Sequence, residues 1–350
     1  MIKCINPLNH TRWDAFVENH PYASVYHHSS WMKVIAITYR HVTPLCFLVE
    51  DKDYNIHSAI PCFIVTSKVT GTRMVSLPFT SYCDPLVHEQ GDFILLFDTV
   101  VDKFNKISAS YLEFRVLKKT DLFKDERLKI HNYYKTHILN LKAGFEEIKR
   151  QFPRDILYSR RRALKSGVTV RQYSCEQDLK DFYLIHAKTR KRQGFPVQPY
   201  AFFKNMVEIM HPQGHFVLLV GELDRRVIAG MVLFKFNNLI SFEIGASDPK
   251  YLAVRPNHLL IWTAIEMACS EGYHYFDFGK SPPENKGLIE FKTRWGAHAL
   301  DVPYFYYPEI KGLMSMEQST WKHRMLMSLN SHMPLSLAKV IGRIAYCHLG

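Results

Sequence analysis

From Gln177 to Trp295 the sequence switches repeatedly between two hydrophobic periods, and most switches carry a backbone breaker. Apolar residues at helical spacing over 177–192 stop at Gly194, and a second helical stretch over 200–210 gives way to HPQG at 211–214. Strand-like runs from Phe216 to Ile244 turn at Asp224-Arg225-Arg226. Pro256 and Asn257 open another helix to Ser270, Gly272 ends it, Tyr273–Phe278 reads as a strand, and Leu288–Trp295 reads as a short helix. A helix buries a stripe and a strand buries a face, so this alternation predicts a layered α/β fold with mixed sheets. The first 140 residues alternate in the same way. A helix over Asn9–Asn19 capped by Asn9, a helix from Ser29 or Ser30, and strands over Leu45–Glu50 and Ile56–Ile64 are expected there. A helix over Asp92–Ile107 facing Phe93, Leu96, Phe97, Val100 and Phe104 inward, and a strand over Tyr111–Leu117, follow.

With 350 residues the chain has material for two such domains. Composition shifts at Leu141: residues 142–171 carry nine Lys and Arg against three Asp and Glu, counted along the sequence. The expected division is therefore 1–140, 141–308 and a helical tail over 309–350. Phe145–Lys165 reads as a helix broken near Pro153, with Gly167 as its stop and a strand opening at Val168. The net charge of +12 favours an anionic partner. Seven scattered Cys make neither a disulfide framework nor a zinc knuckle, and no H-E-x-x-H spacing occurs among the 18 His, so no metal is implied. No signal-peptide h-region precedes the first helix, and no apolar run reaches the ~18 to 20 residues of a membrane span, which predicts a cytoplasmic protein.

Several segments carry a resemblance. In the first half it is NHPYASVYHHSSWMKVI at 19–35. In the second half the segments are YSRRRALKSGVTV at 158–170, HAKTRKRQGFPVQPYAFF at 186–203, and FDFGKSPPENKGLIEFKTRWGA at 276–297, followed by the tail from Trp321. In this order they resemble the FemABX family and FemAB-like relatives near exosortase and exopolysaccharide loci. The resemblance implies two GNAT-like (acyltransferase-type) domains and transfer of an acyl or aminoacyl group to an amine. Characterised cell-wall members use aminoacyl-tRNA and a peptidoglycan precursor. HPQG leaves no room for the coiled-coil arm of some members, so the match is to arm-less, FemX-like ones. The family lysine expected on the helix of Trp31 has no counterpart in register; Lys33 lies nearby.

Acyl transfer from an ester or thioester needs a neutral amine, a stabilised oxyanion and a hold on both substrates. No G-x-S-x-G elbow occurs, so a covalent route is disfavoured. Phe291 and Lys292 match the family's Phe-Lys pair, which implies that Lys292 donates to the oxyanion. Asp277, Gly279 and Lys280 stand where a strand gives way to a loop, a usual place for functional groups. Asp277 is read as orienting the attacking amine or as a carboxylate bonded to loop amides. Lys188, Arg190 and Arg192 crowd a helix C-terminus, where Lys188 and Arg192 share a face suited to a phosphate or carboxylate. Arg160 to Arg162 form a second basic cluster, either a solvated face or a hold on nucleic acid. The loop at 253–260, AVRPNHLL, lacks the glycines of a pyrophosphate cradle, though Arg255 and Asn257 remain able to hold phosphate there. No permanently bound cofactor is expected. The donor is an aminoacyl-tRNA or an acyl-CoA, and the acceptor an amine on a cell-envelope precursor, peptide or amino sugar. Acyl-CoA-dependent transfer in exopolysaccharide synthesis and a non-catalytic protein that binds nucleic acid or membrane are the alternatives. The apolar residues between Pro334 and Cys347 suit a helix that docks on the protein or lies peripherally on the inner face of an anionic membrane.

Overall fold

The computed structural model describes residues 1–309 and 333–348, with the backbone alone for 131–133. The elements, in chain order, are β1 (Ile2–Ile5), α1 (Trp13–Asn19), α2 (Ser29–Thr38), β2 (Val42–Glu50), β3 (Ile56–Ser67), β4 (Gly71–Val75), α3 (Gln90–Lys106) and β5 (Leu112–Arg115). There follow β6 (Lys129–Asn140), α4 (Phe145–Gln151), α5 (Arg154–Lys165), β7 (Thr169–Gln172), α6 (Glu176–Arg192), α7 (Tyr200–Met210), β8 (Phe216–Leu223), β9 (Arg226–Phe236) and β10 (Leu239–Ser247). The last are α8 (Pro256–Ser270), β11 (Tyr275–Asp277), α9 (Lys286–Thr293), β12 (His298–Tyr307) and α10 (Leu335–Tyr346).

Two compact units result. The first holds Met1–Tyr134 together with the described residues from Asp301 and from Ile344 onward; the second holds Lys135–Leu300 and the described residues up to Arg343. The sequence reading set its boundary at 140/141 and kept each domain continuous. In the first unit β1 to β4 form an antiparallel run, β5 joins β4 in parallel after the crossover of α3, and β12 joins β5 antiparallel. In the second unit β7 to β10 form an antiparallel run, β11 joins β10 in parallel after the crossover of α8, and β6 joins β11 antiparallel. The same order of elements thus builds each unit, a repeat that composition does not reveal.

Each core follows from the periodicity. α3 buries Phe93, Leu96, Phe97, Val100 and Phe104 against Phe47, Ile60 and Phe114. In the second unit α8 lays Leu260, Ile261 and Ile265 among Leu219, Met231, Leu233 and Phe276. The turn between β8 and β9 has positive φ at Asp224 and Arg225, the two-residue geometry that matches strand twist. α6 approaches β9 so closely that a Cβ on Gly230 would sit 2.4 Å from the Phe182 ring.

Several boundaries differ from expectation, each for a local reason. Asn9 does not cap α1: it lies in a short 3-10 turn that Asn6 caps by accepting from the Leu8 amide, and α1 begins at Trp13. Tyr273 donates its amide to the Ala268 carbonyl and still closes the end of α8, so β11 begins only at Tyr275. α9 begins two residues early because Asn285 caps it, its side chain accepting from the Leu288 amide at 3.2 Å. β6 and β12 have no counterpart among the sequence-derived elements. Of the tail, Trp321 and the methionines at 314, 316, 325 and 327 lie outside the described residues. α10 docks by Ala338 against Ala187 and Val197, and a Cβ on Gly342 would lie 2.2 Å from the Val197 carbonyl oxygen. Its other face leaves Leu337, Val340, Ile341 and Ile344 exposed. Among the described residues no helix is long and apolar enough to cross a membrane.

Candidate active site

The second unit has an opening in its sheet. β10 pairs with β11 only over Leu239–Ser241, opposite Tyr275–Asp277. Beyond Ser241, β10 runs on to Ser247 paired with β9, through an irregularity between Phe242 and Ile244. The chain after Asp277 turns away instead, the Phe278 amide donating to the His137 carbonyl of β6 at 2.8 Å. Two parallel strands that part in this way leave backbone donors and acceptors along the freed edge.

Gly279 stands at the parting point. Its φ of +73° suits glycine, and a Cβ there would meet the Phe242 carbonyl oxygen at 3.0 Å. Asp277, 1% exposed, fixes this turn: one carboxylate oxygen accepts from the Thr136 hydroxyl at 2.6 Å and from the Gly279 amide at 2.8 Å. The structure therefore favours the loop-amide reading of Asp277. Asp277 and Gly279 form the support on which the next group rests.

That group is Lys292. It comes from the second turn of α9, is 5% exposed, and donates its ammonium to the Gly279 carbonyl at 2.7 Å and to the Lys280 carbonyl at 3.3 Å. Burial pulls its pKa down to about 8, against the opposing charge of Asp277. Among the described residues no carboxylate lies within ion-pair distance of it. Phe291 packs against the core of the unit with its ring edge-on to His258 at 5.6 Å, which holds α9 against α8. Lys292, Phe291, Asp277, Gly279 and Lys280 thus converge as a single site.

The predicted anion-binding residues are more dispersed. Lys188 pairs with Asp248 at 3.5 Å. Arg190 donates to the Pro196 carbonyl and stacks over Phe195, which ties it into the loop after α6. Arg192 is exposed at the end of α6. Arg255 takes a left-handed conformation at the N-terminus of α8, which no side chain caps, and Asn257 donates to the Ser247 hydroxyl at 3.2 Å. The Arg160 to Arg162 run divides: Arg160 lies over the Trp262 ring at 4.4 Å, while Arg161 and Arg162 are exposed. Lys33 is exposed on α2.

Sequence reasoning passed over three residues beside Lys292. Thr136 and His137 on β6 and Ser281 in the loop are all fully buried. Burial, then the Lys292 and Lys135 charges, hold the His137 ring down to about 4, the Gly279 carbonyl opposing. The signal was the strand itself, which the sequence reading did not assign.

The arrangement of strands and helices is one shared with known proteins. Residues 150–292 match a family model described as an acetyltransferase (GNAT) domain. The chain is similar to the crystal structure of FemX, at 17% identity over 94% of this chain and 99% of that one, with a TM-score of 0.71. It is similar to L-PGS from Bacillus licheniformis, at 13% identity over 92% and 97% of the two chains with a TM-score of 0.59. A tandem GNAT protein from the clavulanic acid biosynthesis pathway aligns at 8% identity over 89% and 100%, also at 0.59. A comparison with curated proteins gave no match. The chain has a tandem GNAT fold of the FemX kind, as the resemblance implied.

Proposed function

We propose that this protein is an N-acyltransferase that moves an aminoacyl or acyl group from an ester or thioester donor onto an amine. The observation that carries this reading is the sealed ammonium of Lys292. A buried cation without a carboxylate partner is costly to keep, and such groups concentrate at functional sites. Held by two carbonyl oxygens at the mouth of the sheet opening, it is placed to exchange one of them for a developing oxyanion.

The steps balance without a protein nucleophile. The free amine attacks the acyl carbon, and the carbonyl oxygen gains negative charge and accepts from the Lys292 ammonium. On collapse the C–O or C–S bond of the donor breaks, and the proton lost by the amine ends on the leaving oxygen or sulfur. Lys292 keeps its proton throughout, which its pKa of about 8 allows at neutral pH. Asp277 holds Gly279, and Gly279 holds Lys292; Phe291 fixes the helix. The freed edge of β10 suits an extended arm of the donor, and the uncapped start of α8 with Arg255 suits its phosphates. Lys188, Arg192, Lys280 and Asn257 complete the anion-holding surround, with Arg190 shaping its loop.

The FemX and L-PGS similarities, with the family resemblance, support aminoacyl-tRNA as donor and an amine of a cell-envelope precursor, peptide or amino sugar as acceptor. The family model matched over 150–292 and the freed β10 edge favour a second reading, acyl-CoA as donor. Thermal-shift measurements on the wild type and Lys292→Met with acetyl-CoA, longer acyl-CoAs, charged and uncharged tRNA and UDP-linked precursors separate the two. A ligand that binds only the folded state raises the melting point. A shift specific to charged tRNA supports aminoacyl transfer, and a shift with CoA esters supports the second reading. No shift with any of them supports neither donor and favours the non-catalytic binding protein.

A further inference from the structure

The wall beside Lys292 holds three polar atoms with no hydrogen-bond partner among the described residues: both ring nitrogens of His137 and the hydroxyl of Ser281. Both residues are 0% exposed. Sealed polar atoms are nearly always paired, so a cluster of unpaired ones marks a place where another state of the protein uses them.

Register places them under the lysine. Side chains alternate along β6, so His137 shares a face with Leu139, while Thr136 and Ile138 take the other. Leu139 lies beneath Gly296, just after α9, its Cδ1 3.4 Å from where a glycine Cβ would stand. Lys292, in the last turn of α9, precedes Gly296 by four residues, and His137 precedes Leu139 by two on the same face of β6, ~6.7 Å along the strand. Ser281 exchanges backbone hydrogen bonds with Lys135 and so faces the same way. The Gly279 carbonyl lies near enough to act on the His137 ring as an acceptor, and the Lys292 charge acts on it too, but neither ring nitrogen reaches full hydrogen-bond geometry while Lys292 holds that carbonyl at 2.7 Å.

We propose that His137 is a positioning residue of the transfer reaction: when the Lys292 ammonium leaves the Gly279 carbonyl for the oxyanion, a ring N–H of His137 takes over that carbonyl. The proposal rests on the acyl-transfer reading of Lys292. Without a replacement donor, the move would strand a buried acceptor and hold the lysine back. The exchange involves hydrogen bonds only; no proton changes owner and no covalent bond of His137 is made or broken. The ring stays neutral, as the neighbouring Lys292 and Lys135 charges require.

The test needs no substrate. Lys292→Met removes the competing donor and imitates the departed lysine. In full-length protein labelled with ¹⁵N-histidine, the His137 ring N–H proton of this variant should move downfield from its wild-type position, as an N–H does on gaining a carbonyl acceptor. The resonance is assigned by its absence in His137→Gln, and a crystal structure of Lys292→Met provides a second reading that does not require that variant to fold. There a ring nitrogen should stand about 3 Å from the Gly279 oxygen. A ring N–H that does not move downfield in Lys292→Met, or a separation beyond about 3.5 Å, overturns the proposal. The acyl-transfer reading fails separately, through unchanged turnover in Lys292→Met. A purely structural role for His137 predicts no downfield move of the ring N–H when Lys292 is removed.

Discussion

The ammonium of Lys292 sets opposing demands on stability and activity. Its pKa lies at about 8 in the folded protein and at an ordinary 10.5 when exposed, so at neutral pH the charged form is penalised by about 3 kcal/mol. Lys292→Met should therefore raise the melting temperature at pH 7 while lowering turnover at least about tenfold, the loss expected for one oxyanion donor. The sign with pH follows: between about pH 8 and 10.5 the unfolded chain binds the proton that the folded protein has lost, so wild-type stability gains with rising pH in that window. Denaturant titrations from pH 7 to 10 should show this gain in wild type and not in Lys292→Met. Turnover should run the other way and fall above about pH 8, because the ammonium and not the amine is the donor. Asp277 predicts a different pattern. Asp277→Ala leaves the Thr136 hydroxyl and the Gly279 amide without their acceptor and should cost about 2 to 3 kcal/mol. Asp277→Asn keeps an acceptor oxygen and should leave the pH dependence of turnover unchanged. Lys292 and Phe291 were legible because their motif is local in sequence. Thr136, His137 and Ser281 were not, since what makes them matter is pairing between segments more than 140 residues apart, which no periodicity encodes.

Helices marked by an apolar stripe, as in α3 and α7, or by breakers at their ends, as in α6 and α8, were read from sequence nearly to the residue: all four lie within two residues of expectation. What failed was short or paired structure. The end of α8 extends through the Tyr273 amide bond, the 3-10 turn at Pro7–Asn9 takes Asn9 away from α1, and β6 and β12 went unassigned. Strands of this kind owe their conformation to a partner strand, so their own sequence underdetermines them. The tight seats of two helices carry a prediction. Gly230→Ala and Gly342→Ala each place a methyl group inside contact distance, of the Phe182 ring and of the Val197 backbone respectively. The first collides with a side chain that can rotate and should cost about 1 to 3 kcal/mol, while the second collides with backbone and should release α10. Limited proteolysis should then cut Gly342→Ala within or before α10 well ahead of wild type, with the rest of the chain intact. The exposed stripe of Leu337, Val340, Ile341 and Ile344 suits peripheral contact with an anionic membrane. Deletion of residues 330–350 should weaken sedimentation with anionic liposomes, and unchanged sedimentation would refute that contact.

For the molecule as a whole, the net charge of +12 and the exposed Arg161, Arg162 and Arg192 predict salt-dependent affinity for a polyanion. If the donor is a charged tRNA, the logarithm of the affinity should fall linearly with the logarithm of salt, and reversing Arg161 and Arg162 to Glu should flatten that slope by about one to two charges. An affinity indifferent to salt would argue for a small donor. The repeat of β, two helices, three strands, helix and strand in both units was legible only as a similar order of elements, because few of the residues that build it are shared between the halves.

The last strand has a consequence for how the protein is made. β5 takes its partner β12 from a segment that follows nearly all of the second unit, so about 180 residues must leave the ribosome between the two. Until then the first unit carries an open strand edge, ready to pair with another nascent chain. A fragment ending near residue 134 or 140 inherits that defect permanently and should aggregate. The whole chain has to be kept apart from its neighbours during synthesis, until its own C-terminal portion arrives to close the edge.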